Sequence, residues 1–250
     1  MMRLAQLINI EQLPEDVQKK FIPFARNLLE LFSGNIRAVA VTGEATGPGY
    51  DPKISFINSI VVLQDINFDV FRSALKPVAG AAKQRIAAPL FLSQEYIQNS
   101  LDVFPVEFLE IKEKHVLIYG EDIFSTLDIK TEHLRLFCEQ QVKGRLIRIR
   151  QAYLEVGLQK KGVEALLKDS LSSLLPIFRN LIRLKGETPA VDSEGVINQL
   201  TAAFAIDGRP FSAIVRDQSN DEKIAGRDVT EFFEKYINQL QKLARQVDQL

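Results

Sequence analysis

The sequence predicts an α+β fold class: an N-terminal segment of strands and helices, residues 1–130, followed by an all-α helical bundle, residues 131–250. Three observations predict it. Two β-branched runs, Ala38 to Val41 and Ile54 to Leu63, bracket a glycine-rich loop, which reads as strand, loop, strand. After Thr131 the apolar residues keep helical spacing and no strand-like run competes with it. A chain of 250 residues with 46% hydrophobic and 25% charged residues can bury ordinary cores without disulfides or structural metals.

The elements follow in order. Between Glu15 and Phe32 the residues Val17, Phe21, Phe24, Leu28 and Leu29 fall on one helical face, and Pro23 is expected to kink that helix or split it. Ser33-Gly34-Asn35 ends it. The first strand, the loop Gly43 to Gly49 and the second strand come next, then a helix from about Asp69 to Ala87. Pro89–Ser93 leads into a short helix capped by Ser93, and Pro105–Ile111 (PVEFLEI) has strand character. In the second half, helices are predicted over Leu134–Val156 with Thr131 as N-cap, over Gly162–Lys185, and over Ser193–Phe204 with Asp192 or Ser193 as cap. The last helix, Val229–Leu250, spaces Val229, Phe233, Tyr236, Leu240, Leu243, Val247 and Leu250 as heptads, and Asp228 with Glu231 resembles a capping box. Phe232, Ile237 and Ala244 widen the stripe, so packing inside the bundle is expected, with a homodimer through 229–250 as the alternative.

Charge names no partner. The net charge is −1, and the two halves carry −3 and +2, which gives no general attraction to nucleic acid or to a membrane surface. No run approaches the roughly 18 apolar residues of a membrane span. Cys138 alone cannot form an internal disulfide, and with only His115 and His133 a Cys/His zinc site is excluded. The N-terminal stretch MMRLAQLINIEQLPED lacks the apolar core and cleavage site of a secretory signal, so a cytoplasmic location is expected.

Residues 43–58, GEATGPGYDPKISFIN, resemble the nucleotidyltransferase superfamily, which includes DNA polymerase β and the two-domain aminoglycoside adenylyltransferases. In that family a Gly-Ser pair ends the first strand, and an Asp-x-Asp follows on the second after a loop that often holds a proline and a serine. Gly43 matches the glycine, Pro52 the proline and Ser55 the serine, while Glu44 stands at the place of the paired serine. Phe56 and Asn58 fall where the two aspartates would stand. The resemblance implies a mixed sheet with helices, a bundle after it, and a nucleotide in the cleft between domains. Around that nucleotide it places Gly43, Glu44, Ser55 and Asn58. Lys143, Arg145, Arg148 and Arg150 make one side of the first bundle helix basic, and in a two-domain transferase Arg145 and Arg148 would meet the phosphates. The family's third carboxylate sits on a later strand, which makes Glu107 the sole candidate catalytic carboxylate, ahead of Glu110.

The family's chemistry needs two Mg²⁺ ions, hard cations that require charged oxygen ligands. Phe56 has no donor atom and Asn58 offers one neutral oxygen, so no metal ligand is assigned here. The expected protein is catalytically inactive, with a nucleotide-binding or regulatory role. One alternative is an active Mg²⁺-dependent enzyme, transferring a nucleotidyl group to a small molecule, protein or RNA, with Glu44, Asp51 and Glu107 rearranged around a metal. A second is an oligomeric scaffold built through the C-terminal helix. As strand residues, Glu107 and Glu110 would point to opposite faces and form no acid pair. The loop lacks the Gly-Lys-Ser/Thr end of a P-loop, and Ser73 with Lys76 lies on an ordinary amphipathic helix.

Overall fold

The computed structural model describes residues 6–219, 224 and 228–250. The first five residues of the N-terminal stretch lie outside them. Two compact units meet in the chain at Lys130 and Thr131.

The first unit is a four-stranded mixed sheet with helices on both faces. Helix α1 (Glu15–Leu31) runs unbroken through Pro23, burying Val17, Phe21, Phe24, Ala25, Leu28 and Leu29. Strand β1 (Ile36–Thr42) lies at the centre, antiparallel to β2 (Asn58–Leu63) and to β4 (His115–Gly120), while β3 (Leu90–Ser93) adds to the far edge of β2 in parallel. Val39, Val41, Val61 and Leu63 pack toward α1 and α2 (Phe68–Ala82), whereas Ala38, Ala40, Ile60 and Val62 pack against Ile97, Phe108, Phe124 and Leu127. Burial on both faces is why these strands read as continuous apolar runs and not as alternating ones.

Four expectations need correction. The second strand begins at Asn58, so residues 54–56 are loop and Ile57 makes only an isolated bridge to Ile86. Helix α2 ends at Ala82, earlier than its periodicity allows. Pro105–Ile111 is not a strand: it belongs to helix α4 (Pro105–Glu113), which follows the Ser93-capped α3 (Gln94–Asn99). Pro105 sits in the first turn, where its fixed φ suits a helix start, and Glu107 and Lys112 complement the helix dipole at opposite ends. The strand that pairs with β1 on this side is instead β4, HVLIYG.

Helix α2 closes with a Schellman-type turn. Arg85 N donates to Ala82 O at 3.1 Å and Ile86 N to Ala81 O at 3.3 Å, with Arg85 itself left-handed at φ 60°. Glycine usually takes that position, since a side chain there costs about 1–2 kcal/mol.

The second unit is all helical: α5 (Thr131–Val156), α6 (Lys160–Leu184), α7 (Ser193–Phe204), α8 (Arg209–Gln218) and α9 (Val229–Asp248). Helix α8 is the one that periodicity missed. Asp228 caps α9 by accepting from the amides of Thr230 and Glu231. The heptad residues from Val229 to Val247 are buried together with Phe232, Ile237 and Ala244, and Phe233 stacks on Tyr153 of α5 at 4.1 Å. The apolar stripe of α9 is therefore buried within the bundle from Val229 to Val247, as its width predicts. Among the described residues no helix is long and apolar enough to cross a membrane.

Candidate functional site

The loop between β1 and β2 is built by backbone chemistry. Gly43 has φ 71°, the left-handed region that glycine enters without penalty, and its amide donates to Lys114 O at 3.2 Å. Thr46 Oγ1 donates back to Gly43 O at 2.7 Å, closing a single 3-10 turn. Asp51 then forms a second turn, accepting from Lys53 N at 2.8 Å through its side chain and from Ser55 N at 2.8 Å through its carbonyl. The Ser55 hydroxyl accepts from Asp51 N at 3.2 Å and donates to Glu44 Oε2 at 2.9 Å. Of the predicted residues, Glu44 and Ser55 are thus brought into direct contact.

Three strands meet at this end of the sheet. Thr42 pairs with Asn58 on one side and His115 on the other. The His115 side chain is 7% exposed, its Nδ1 against Ile111 O at 2.8 Å and its Nε2 against Asp122 Oδ1 at 3.1 Å. Burial opposes the charge of Asp122, but hydrogen bonds from the Ser125 hydroxyl and amide, with the facing His115, hold its carboxyl below the usual range.

Phe56 lies in the loop just before β2 and is 51% exposed. Ile57 fastens this segment to the end of α2: Ile57 N donates to Arg85 O at 2.8 Å, and Ala87 N donates to Ile57 O at 3.0 Å. The Arg85 guanidinium consequently lies over the Phe56 ring, 5.5 Å from its centroid, with Nη1 donating to Ile54 O at 3.4 Å. Arg85 was not singled out from the sequence. Its only local sign is an arginine where a helix end calls for glycine.

The strand placement of Glu107 is corrected. The residue stands on α4 and not on a strand, and there Glu107 and Glu110, three apart, share a helix face. Strand β4 (HVLIYG) carries no carboxylate. Arg145 and Arg148 are on α5 in the second unit, without a carboxylate partner among the described residues, whereas Lys143 of the same basic face pairs with Glu139 at 2.5 Å and Asp248 at 2.9 Å. Cys138 is buried on α5, and burial pushes its thiol up to about 12, which rules it out as a nucleophile at neutral pH.

Two Mg²⁺ ions do not fit these residues. Phe56 supplies no ligand atom, Asn58 a neutral amide, and Ser55 is committed to Glu44. Among the described residues no three His, Cys, Asp or Glu side chains come together as a metal site, so Glu44, Asp51 and Glu107 do not form one. The arrangement offers an arginine fork on an aromatic ring, an amide side chain and turn backbone, groups that recognise anions.

The fold is that of the nucleotidyltransferases, α+β with a helical region after the sheet. The chain is similar to the spectinomycin adenyltransferase AAD(9) from Enterococcus faecialis, in a crystal structure with ATP and spectinomycin, at a TM-score of 0.50 and 12% identity over 88% of this chain and 98% of that one. No protein-family profile and no curated protein sequence matches the chain.

Proposed function

We propose that this protein binds a nucleotide in a regulatory role and does not transfer it with the help of metal. The observation that carries the reading is that residues 56 and 58, which the resemblance sets at the two metal-binding aspartates, are Phe and Asn. Two features of the site support it: β4 brings no acid to the row of Thr42, Asn58 and His115, and Glu44 is held by the Ser55 hydroxyl. Gly43, Ser55 and Asn58 form the nucleotide-facing rim of the first unit, and Arg145 and Arg148 are the phosphate-binding candidates of the second. The adenyltransferase of the same fold was crystallised with ATP, which makes ATP the first nucleotide to test. The cytoplasm is the proposed location.

Calorimetric titration with ATP and GTP, each with and without Mg²⁺, tests the reading. Binding indifferent to Mg²⁺, together with no labelling of any acceptor by radiolabelled ATP, is the expected result. Mg²⁺-dependent binding or metal-dependent adenylylation of a small molecule, protein or RNA would overturn it.

A further inference from the structure

One positive charge at this site comes from the end of α2. We infer that Arg85 replaces the fold's divalent cations: its guanidinium, resting on Phe56, receives the phosphate chain of the nucleotide directly, without metal. The inference deepens the proposed function and rests on it.

Four observations converge on Arg85. Its guanidinium lies over Phe56, the side chain that the resemblance sets at the first aspartate. One of its five N–H groups is used, on Ile54 O, and among the described residues no carboxylate neutralises it. The ring beneath holds the planar fork in place, and a guanidinium fork matches a phosphate bidentately. Finally, its backbone is left-handed at a helix end where glycine would be at ease, so local folding gains nothing from this side chain. A residue strained in its backbone and unpaired in its charge, placed beside an exposed aromatic at the rim of the fold's active-site loop, is disposed for a ligand. The ligand class is an oligophosphate, free or carried by a nucleoside.

The last observation supplies the variant. Arg85→Gly removes the guanidinium and relaxes the turn, so it separates binding from folding. ATP and inorganic tripolyphosphate are titrated into the full chain in EDTA, for the wild type, R85G and R85K, with a melting temperature for each. Both ligands are expected to bind the wild type and to bind R85G at least about tenfold more weakly, with a melting temperature equal to or above that of the wild type. R85K is expected to fall between them, because lysine keeps the charge and loses the planar fork. Unchanged binding by R85G would overturn the role of Arg85 and leave the nucleotide reading standing. Arg85-dependent binding of tripolyphosphate with refusal of ATP would uphold the anion site and overturn the nucleotide reading. Binding of neither ligand by the wild type, or a lower melting temperature in R85G, would overturn the inference.

Discussion

Tyr236 is wholly buried in the second unit, edge-on to Phe211 at 5.2 Å, and its hydroxyl meets that of Ser170 at 2.6 Å. Burial pushes this phenol far above its ordinary range, and the hydrogen bond to Ser170 only partly offsets the shift. The pair should behave as a unit in unfolding measurements. Ser170→Ala strands a buried phenol and is expected to cost about 1–3 kcal/mol, while the double variant S170A/Y236F should cost less than the sum of the two single changes. Urea denaturation of the four proteins checks this, and strict additivity would deny the coupling. At the candidate site the same scale separates what was legible from what was not. The turn at Gly43 and the strand that opens at Asn58 were legible, because a turn and the strand after it are written in adjacent residues. Arg85 was not, because its proximity to Phe56 depends on the Ile57 hydrogen bonds, which join segments distant in the chain.

Among the elements, α4 shows how a short apolar pattern deceives. Val106, Phe108 and Leu109 in PVEFLEI satisfy a strand pattern over a few positions, and length alone does not arbitrate between buried strand and helix. The edge beside β1 is taken by β4, and Pro105 starts a helix that lays Phe108 on the sheet. The start of β2 matters more for chemistry, since it fixes where residues 56 and 58 stand. Aspartates at both positions would supply the two carboxylates that the resemblance calls for at a metal site, but an aspartate at 56 would meet Arg85 and pair with it. The variant F56D/N58D/R85G is therefore expected to bind Mn²⁺ more tightly than F56D/N58D, and the wild type least. Mn²⁺ titration followed by electron paramagnetic resonance measures this. Absence of binding in the triple variant would mean that residues 56 and 58 do not hold the assigned register.

The whole molecule consists of two units with separate interiors. The bundle from Thr131 onward carries its own aromatic core, Phe178 on Phe211 on Tyr236, and a wide buried stripe on α9. About 120 residues are enough for an independently stable domain. Residues 131–250 expressed alone are expected to give a helical circular dichroism spectrum and a cooperative thermal transition. A non-cooperative melt would show that the bundle needs the first unit to fold.

The α+β class, the strand-loop-strand with Gly43 at its turn and the helix caps Ser93, Asp192 and Asp228 are set by the sequence alone. Those features are local: period, turn residues and capping side chains act over a few neighbouring positions. Tertiary structure alone decided that PVEFLEI is helical, that acid-free β4 completes the row beside Thr42, and that an arginine from the end of α2 lies on Phe56. The physical reason is that strand partners and charge neighbours are chosen among distant segments competing for the same sheet edge and the same buried surface, a choice made by the packed chain and not by any stretch of it.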